Sequence, residues 1–459
     1  MNINNEISKI IPLLSKYDMS NLDNVRNKES QKLRKQPDNQ EIAYDKMHNG
    51  ENLFITGPAG CGKSFIVNKF YNHYIKHNDC KYIHKTSTTG ISAILIKGTT
   101  IHSFSGLETG KESAIYYLDK IRKKKHKVLK NILDTKVLII DEISMMSIEF
   151  FEKLEYIIRK IKGNGQIFGG IQLIVTGDFC QLPPINSDFC FNSQLFKNLF
   201  ENDRIYLNKN YRQNDPYFSN ILMKIRMEDI NDNIIQTLSK CVNKKFPKNI
   251  KSTKLFAIKK NSDYVNNYYL NKLIEKKLQT HNYKLKIYNK NIKEFVNSQY
   301  RESFTKKFAN NLPVKSEITL TINTLVIICC NMPEYDVVNG TTGKVVDFDN
   351  LNNPILKLNN NTHLTIQRFE WETKDIYNNT YTFSQYPLIL GWAITIHKSQ
   401  GMSLDYVKIN LDNSIFEYGQ AYVALSRVKS LNGLSLYKFN KKSIKTHPKV
   451  IKYYESFES

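Results

Sequence analysis

The stretch NLFITGPAGCGKSFIVNKFYNHYIKH (52–77) decides the architecture. An apolar run of about five residues needs cover on both of its faces, as strands of parallel sheets do. Glycines at 57, 60 and 62 then let the backbone turn its N–H groups toward one point just before a helix starts at Lys63. GPAGCGKS (57–64) fits G-x-x-x-x-G-K-[ST], the pattern of a phosphate-binding loop between strand and helix. On this reading Lys63 reaches the β- and γ-phosphates of a nucleoside triphosphate, and the Ser64 hydroxyl ligates magnesium. The expected ATP cradle comprises Gly57, Pro58, Ala59, Gly60, Cys61, Gly62, Lys63, Ser64 and Phe65.

Outward from this stretch the same alternation continues. VLIID (137–141) and QLIVTGD (172–178) are further apolar strands, and IEFFEKLEYIIRKIKG (148–163) is a helix with Ile148, Phe151, Leu154, Ile158 and Ile161 on one face. Apolar strands joined through helices predict an α/β fold of the doubly wound, parallel-sheet kind. From about 283 to 390 the pattern changes to short alternating runs split by VVNGTTG and NLNNP, which predicts a small antiparallel, β-barrel-like module. α/β character returns with YPLILGWAITIH (386–397), VKINLD (407–412) and the helix around YVALSRV (422–428), so the module is expected to be an insertion. The predicted organisation is an N-terminal extension and linker (1–37), a first α/β domain (38–205), a second α/β domain (206–282 and 391–459), and the inserted module (283–390).

Composition narrows the function. With 459 residues, 41% hydrophobic and 24% charged, the chain has the makeup of a multi-domain globular protein. Lys and Arg number 66 against 43 acidic residues, a net charge of +23 that favours a polyanionic partner, nucleic acid before an anionic membrane. No apolar run approaches the roughly 18 residues needed to cross a bilayer, and no membrane partner is expected. The seven cysteines (61, 80, 180, 190, 241, 329, 330) form no CxxC pair, which argues against a zinc site or a disulfide framework and for a reducing compartment. MNINNEISKIIPLL shows no secretory pattern, and Glu6, Asp18 and Asp23 argue against a mitochondrial presequence. An intracellular protein is expected, with nucleus, mitochondrion and viral replication site left open.

A phosphate cradle needs a second metal ligand and a group to activate water. VLIIDE (137–142) supplies both: Asp141 as the magnesium partner at the end of a buried strand, as in a Walker B strand, and Glu142 as the catalytic base. His102 and His397 have no companion ligands nearby in sequence, which favours structural or DNA-facing roles over metal binding.

An ordered series of blocks across residues 37–437 then resembles the Pif/RecD type of superfamily 1B DNA helicase, the petite-integration-frequency family. TSTTGISAILIKGTTIHSF (86–104) is similar to the family's second block, and EISMMSIEFFEKLEYIIRKIK (142–162) to the stretch peculiar to the Pif branch. LIVTGDFCQLPPI (173–185), LNKNYRQ (207–213), AITIHKSQGMSLD (393–405) and YVALSRVKS (422–430) follow in family order. The resemblance implies two RecA-like motor domains with ATP between them. It implies that Gln40 reads adenine, that Gln181 senses the γ-phosphate, and that Arg212 and Arg427 reach the nucleotide from the second domain. Thr88, Thr89, Gly90, His102, His397, Lys398 and Ser399 are the implied DNA contacts, and a small wedge subdomain is implied near 105–130, where the basic run Arg122, Lys123, Lys124, Lys125, His126, Lys127 falls.

The implied activity is ATP-dependent, 5′-to-3′ DNA unwinding, with magnesium, by a monomer on single-stranded DNA facing duplex or forked DNA. RNA–DNA hybrids are a further candidate substrate, and replication, repair, recombination and telomere maintenance are the implied settings. A translocase that remodels protein–DNA or RNA–DNA complexes with little unwinding is the competing reading. A non-catalytic nucleic-acid-binding subunit would require loss of Lys63, Asp141, Glu142 or an arginine, and all are present. One departure stands out: in KLFAIKKNSDYVNN (254–267) Lys260 replaces the family's threonine.

Overall fold

The computed structural model describes residues 38–108, 110–213, 215–247, 250–296, 303–374 and 379–457; the expected N-terminal extension (1–37) lies outside them. The chain divides into two units, 1–42 and 43–459. Of the first unit only residues 38–42 are described; they open helix α1 (Asn39–His48), in which Gln40 lies. All the other elements belong to the second unit.

The phosphate-loop stretch forms strand β1 (Leu53–Thr56) and helix α2 (Lys63–His77), as its pattern predicts. β1 lies inside a six-stranded parallel sheet completed by β2 (Ile83–Ser87), β3 (Thr99–Thr100), β4 (Val137–Asp141), β5 (Gln172–Gly177) and β6 (Arg204–Tyr206). The order is β3–β2–β4–β5–β1–β6. Leu53 stands opposite Ile174, and Ile140 opposite Val175, so the ends of β1, β4 and β5 come level at one edge. Every residue of β1 and β4 is buried, which is why each reads as an unbroken apolar run, rather than an alternating one, up to its last residue, Thr56 or Asp141.

Helix α3 (Gly90–Leu95) follows β2. Helices α4 (Ala114–Lys124), α5 (His126–Asp134) and α6 (Ile148–Lys162) pack together on the sheet. In α6, Ser147 caps the first turn by accepting from the Phe150 N–H, and Gly163 closes the helix at a positive φ of 69°. The predicted wedge (105–130) falls on the loop before α4, on α4 and on the first half of α5. Tyr117, Leu118, Ile121, Val128 and Ile132 are buried in the same core as α6. Of its basic run, Lys125 pairs with Glu108 at 2.8 Å and Arg122 donates to the Lys160 carbonyl, while Lys123 and Lys124 stay exposed.

Helix α7 (Pro216–Arg226) leads into a second parallel sheet, formed by β7 (Thr253–Phe256), β8 (Ala393–Thr395), β9 (Val407–Leu411) and β10 (Leu434–Phe439) in the order β8–β7–β9–β10. Helix α8 (Lys259–Ile274) follows β7, and α9 (Gln420–Leu425) follows β9. Between α8 and β8 lies the inserted module, whose strands run from Thr280 to Leu390 in antiparallel sheets of five, four and two. It has its own core, with Leu320, Val326, Val345, Leu356 and Leu388 buried. Its first strand, THNYK (280–284), begins three residues before the predicted boundary. It carries one buried residue, Tyr283, too few to show a pattern.

The C-terminal boundary needs correction. Helix α10 (Pro448–Glu455), assigned from sequence to the second domain, packs on the first: Tyr453 stacks on Phe191 with ring centroids 4.4 Å apart, and the Arg204 guanidinium lies 4.1 Å over the Phe457 ring.

Candidate active site

The loop after β1 is held in shape by its glycines. Gly57, Gly60 and Gly62 all have positive φ (141°, 88° and 85°). A Cβ on Gly57 would lie 2.2 Å from the Leu207 carbonyl oxygen, and one on Gly60 would lie 2.6 Å from the Arg212 Cβ. Only glycine fits where the loop and the 207–213 segment touch. The Lys63 ammonium lies over this loop and donates to the carbonyls of Gly57 (2.8 Å) and Pro58 (3.0 Å).

At the end of β4 the Asp141 carboxylate gathers three donors. Thr176 Oγ1 and the Glu142 N–H reach Oδ1, and Ser64 Oγ reaches Oδ2 at 3.3 Å. Burial pushes the Asp141 carboxyl upward, and the Thr176 hydrogen bond opposes that most strongly. The Ser64 hydroxyl and Asp141 carboxylate therefore form a compact oxygen pair beside the phosphate loop. That suits a small hard cation, which takes one carboxylate and draws its other ligands from phosphate and water. Among the described residues no group of three or more His, Cys, Asp or Glu could hold a metal by itself.

Glu142 has a left-handed backbone (φ 56°) directly after β4. Burial first, and the neighbouring Asp141 charge second, push its carboxyl up to about 7, while Lys63 and Arg427 pull the other way. A carboxylate poised near neutrality suits proton abstraction from water.

Side chains of the second domain lie against this loop and its acid. Arg212 donates from Nε to Ser403 Oγ (3.0 Å) and from Nη1 to the Ser426 carbonyl (3.2 Å). Arg427 is 1% exposed and donates to the Val423 carbonyl and to Ser426 Oγ. Burial, then the charge of Arg212, lowers the Arg427 guanidinium to about 9, still cationic at neutral pH. The two arginines meet at Ser426, whose carbonyl accepts from Arg212 and whose hydroxyl accepts from Arg427, and Arg212 lies against Gly60 of the phosphate loop. Gln181 is buried in the loop after β5, and α9 starts against it: a Cβ on Gly419 would lie 2.3 Å from the Gln181 carbonyl oxygen.

Several residues of this centre escaped the sequence reading. Gln400 Nε2 reaches Glu142 Oε2 at 3.4 Å from the second domain. The Tyr422 hydroxyl accepts from the Ala59 N–H of the phosphate loop at 2.9 Å. Asp178, directly after β5, holds Arg226 of α7 in a fully buried pair at 2.8 Å. The Tyr454 hydroxyl of α10 bonds Thr56 Oγ1 (2.7 Å) and the Phe179 N–H (3.1 Å). Asp178 lies within the LIVTGDFCQLPPI block; its partner Arg226 carries no local signal.

The DNA-contact candidates divide by position. Thr89 caps α3, accepting from the Ser92 N–H, and Thr88 donates to the Glu142 carbonyl at 2.7 Å, which ties this block to the residue expected to act as base. A Cβ on Gly90 would meet the Asn311 side chain at 2.7 Å. The His102 ring packs 4.5 Å from that of Phe150, and His397 is exposed and 3.4 Å from Glu417. Lys398 is half-buried among Lys259, Lys315, Asp263 and Cys329. Ser399 is buried, and its hydroxyl donates to the Ile396 carbonyl, so it closes its own turn.

A phosphate loop and an acidic pair at buried strand ends of one parallel sheet, with arginines before α7 and after α9 and a second parallel sheet beyond them, define a nucleotide-binding motor core of two RecA-like domains. The PIF1-like helicase family model matches residues 36–236. The chain is 33% identical over 428 residues to the ATP-dependent DNA helicase PIF1 of Xenopus laevis, covering 91% of this chain and 64% of that one. It is 30% identical over 424 residues to the ATP-dependent DNA helicase Pif1 of Bdellovibrio bacteriovorus, covering 91% of each. Bacteroides sp Pif1 solved in complex with ADP-AlF4 matches with a TM-score of 0.76 at 26% identity, over 92% of this chain and 97% of that one. Bacteroides Pif1 bound to ssDNA matches with a TM-score of 0.59 at 25% identity, over 92% and 96%. The chain belongs to the PIF1-like helicase family, and spans 64% of the length of its Xenopus laevis relative.

Proposed function

We propose that the chain is an ATP-dependent DNA helicase that moves 5′ to 3′ along single-stranded DNA, as a monomer, and separates duplex or forked DNA ahead of it. The observation that carries this is the seating of Arg212 against Gly60 of the phosphate loop, with Arg427 tied to it through Ser426 and Gln400 reaching Glu142. The loop amides and Lys63 would hold the phosphates, and Glu142 would take the proton of the attacking water. Magnesium, held by Ser64 and Asp141, would neutralise developing phosphate charge. The two arginines would bind the γ-phosphate charge more strongly as it develops. Because one group is then gripped from both domains, its hydrolysis loosens the cleft, which supports stepping along a strand bound across both. The names of the Xenopus and Bdellovibrio relatives, and the ssDNA complex of Bacteroides Pif1, support the same reading. So does the +23 charge.

The test is strand displacement on duplexes carrying either a 5′ or a 3′ single-stranded tail, with ATP and magnesium. Unwinding confined to the 5′-tailed duplex is expected. ATP turnover stimulated by single strands without displacement of either duplex would favour the translocase instead.

A further inference from the structure

Helix α8 carries a feature that the motor chemistry does not use. Lys260, Tyr264, Tyr268 and Lys272 follow one another at four-residue spacing, which places them in one row along the helix. All four are exposed, and Tyr264 is 71% exposed although tyrosine has a large apolar ring. The Tyr264 and Tyr268 rings are near-parallel, 18° apart in plane, with centroids separated by 6.5 Å. Tyr268 in turn contacts Tyr269 (5.3 Å), and Tyr269 stacks on Trp392 (5.8 Å, 21°), so four rings run without a break from the helix to the start of β8. Lysines flank the row: Lys272 lies 4.5 Å over Tyr268, and Lys254 lies 5.0 Å over Tyr269. The acid within it, Asp263, is paired with Lys315 at 3.8 Å. A shallow hollow lined by Lys259, Lys260, Asp263, Tyr264 and Asn267 opens at its first turn.

Aromatic faces at regular spacing, interleaved with lysines, match unpaired nucleotides, whose bases stack on rings while their phosphates meet ammonium groups. A folded protein surface would have to cover the row with acids to match it, and a lipid surface would not need rings standing parallel. The hollow at the first turn includes Lys259 and Asp263, whose charges also act on the DNA-contact candidate Lys398. We infer that the exposed Lys260–Tyr264–Tyr268–Lys272 face of α8 is a second binding surface for single-stranded nucleic acid, taking up strand that extends beyond the motor track. The inference rests on the proposed DNA-binding function.

The test compares strands of about 8 and about 30 nucleotides, the shorter within the range of a single binding track. Tyr264→Ala/Tyr268→Ala is the variant. Both rings are exposed and alanine favours helix, so folding is not at risk, and a melting curve checks it. By fluorescence anisotropy the variant should bind the long strand about thirtyfold more weakly and the short strand unchanged, since each stacked ring is worth a factor of at least about five. Tyr264→Phe/Tyr268→Phe should retain wild-type affinity for both. Equal losses on both strands would overturn the inference, because the rings would then be acting on the motor track. No loss on either would also overturn it, leaving a helix face that only supports itself or meets a protein. Failure of the wild-type chain to bind either strand would overturn the DNA reading itself, an outcome distinct from the other two.

Discussion

If Lys63 and Arg427 act on the same phosphate group from opposite domains, as proposed, their losses should differ in kind. Lys63→Ala should abolish ATP turnover while leaving single-strand affinity largely intact, because its ammonium lies over the loop carbonyls of Gly57 and Pro58. Arg427→Ala should lower kcat more than it raises KM, by about 10³ or more, since its contact strengthens as charge develops. Steady-state kinetics check both, and a loss below about tenfold for Arg427→Ala would mean that the second domain does not complete the site. Away from the chemistry, Lys85 shows what burial does to a single charge. It is 8% exposed in β2, donates to Asn68 Oδ1 at 3.1 Å and lies 4.1 Å over the Tyr71 ring. Burial, and then the charge of Lys97, pull its ammonium down to about 8 from 10.5. The unfolded chain holds that proton to higher pH than the native one, so the penalty is complete below about pH 8 and fades as pH rises toward about 10.5. Lys85→Met should thus be more stable than wild type by about 1–3 kcal/mol at pH 7. Its advantage should be gone near pH 10.5, which urea unfolding at the two pH values will measure.

At the scale of elements, α10 is a brace on the phosphate-loop strand. One hydroxyl, that of Tyr454, meets Thr56 at the end of β1, the Phe179 N–H after β5, and Asp178 at 3.3 Å. Asp178 is itself fixed by Arg226 of α7, so three elements distant in sequence lock the base of the nucleotide loop. Tyr454→Phe keeps the ring and removes the hydroxyl, leaving the buried Phe179 N–H without that acceptor. A stability loss of about 1–3 kcal/mol is expected. Chemical denaturation will show it, and an unchanged midpoint would mean that the ring packing alone holds α10. In the neighbouring pair α4–α5 the basic segment carries Tyr117, Ile121 and Ile132, which are buried, and both helices pack against α6.

For the whole molecule the governing quantity is the charge of +23. A motor that holds a single strand mainly by its backbone releases counterions on binding. If about five phosphates are neutralised, log K should fall against log salt with a slope near −3.5. Between about 50 and 200 mM salt the affinity should then drop roughly a hundredfold, which a titration with labelled oligonucleotide measures. Neutralising Lys123, Lys124 and Lys125 together should flatten the slope only if that run meets the strand. Lys125 already pairs with Glu108, so at most Lys123 and Lys124 are expected to count. An affinity independent of salt in the unaltered chain would remove nucleic acid as the reason for the charge.

Sequence by itself determined the phosphate loop, the acidic pair and the parallel strands that present them. In each, the residues that act together are neighbours along the chain, and full burial of a strand leaves an unbroken apolar run such as VLIID. It also marked where the β module interrupts the second domain, because alternation is a local pattern; the polar edge strand at 280–284 left no such mark. Tertiary structure alone decided which side chains brace the site. Arg226 lies 48 residues from Asp178, Gln400 lies 258 from Glu142, and Tyr454 lies 276 from Asp178. Pairings of that kind depend on how two sheets and a returning helix pack, and a single hydroxyl or guanidinium carries no periodicity that could announce its partner.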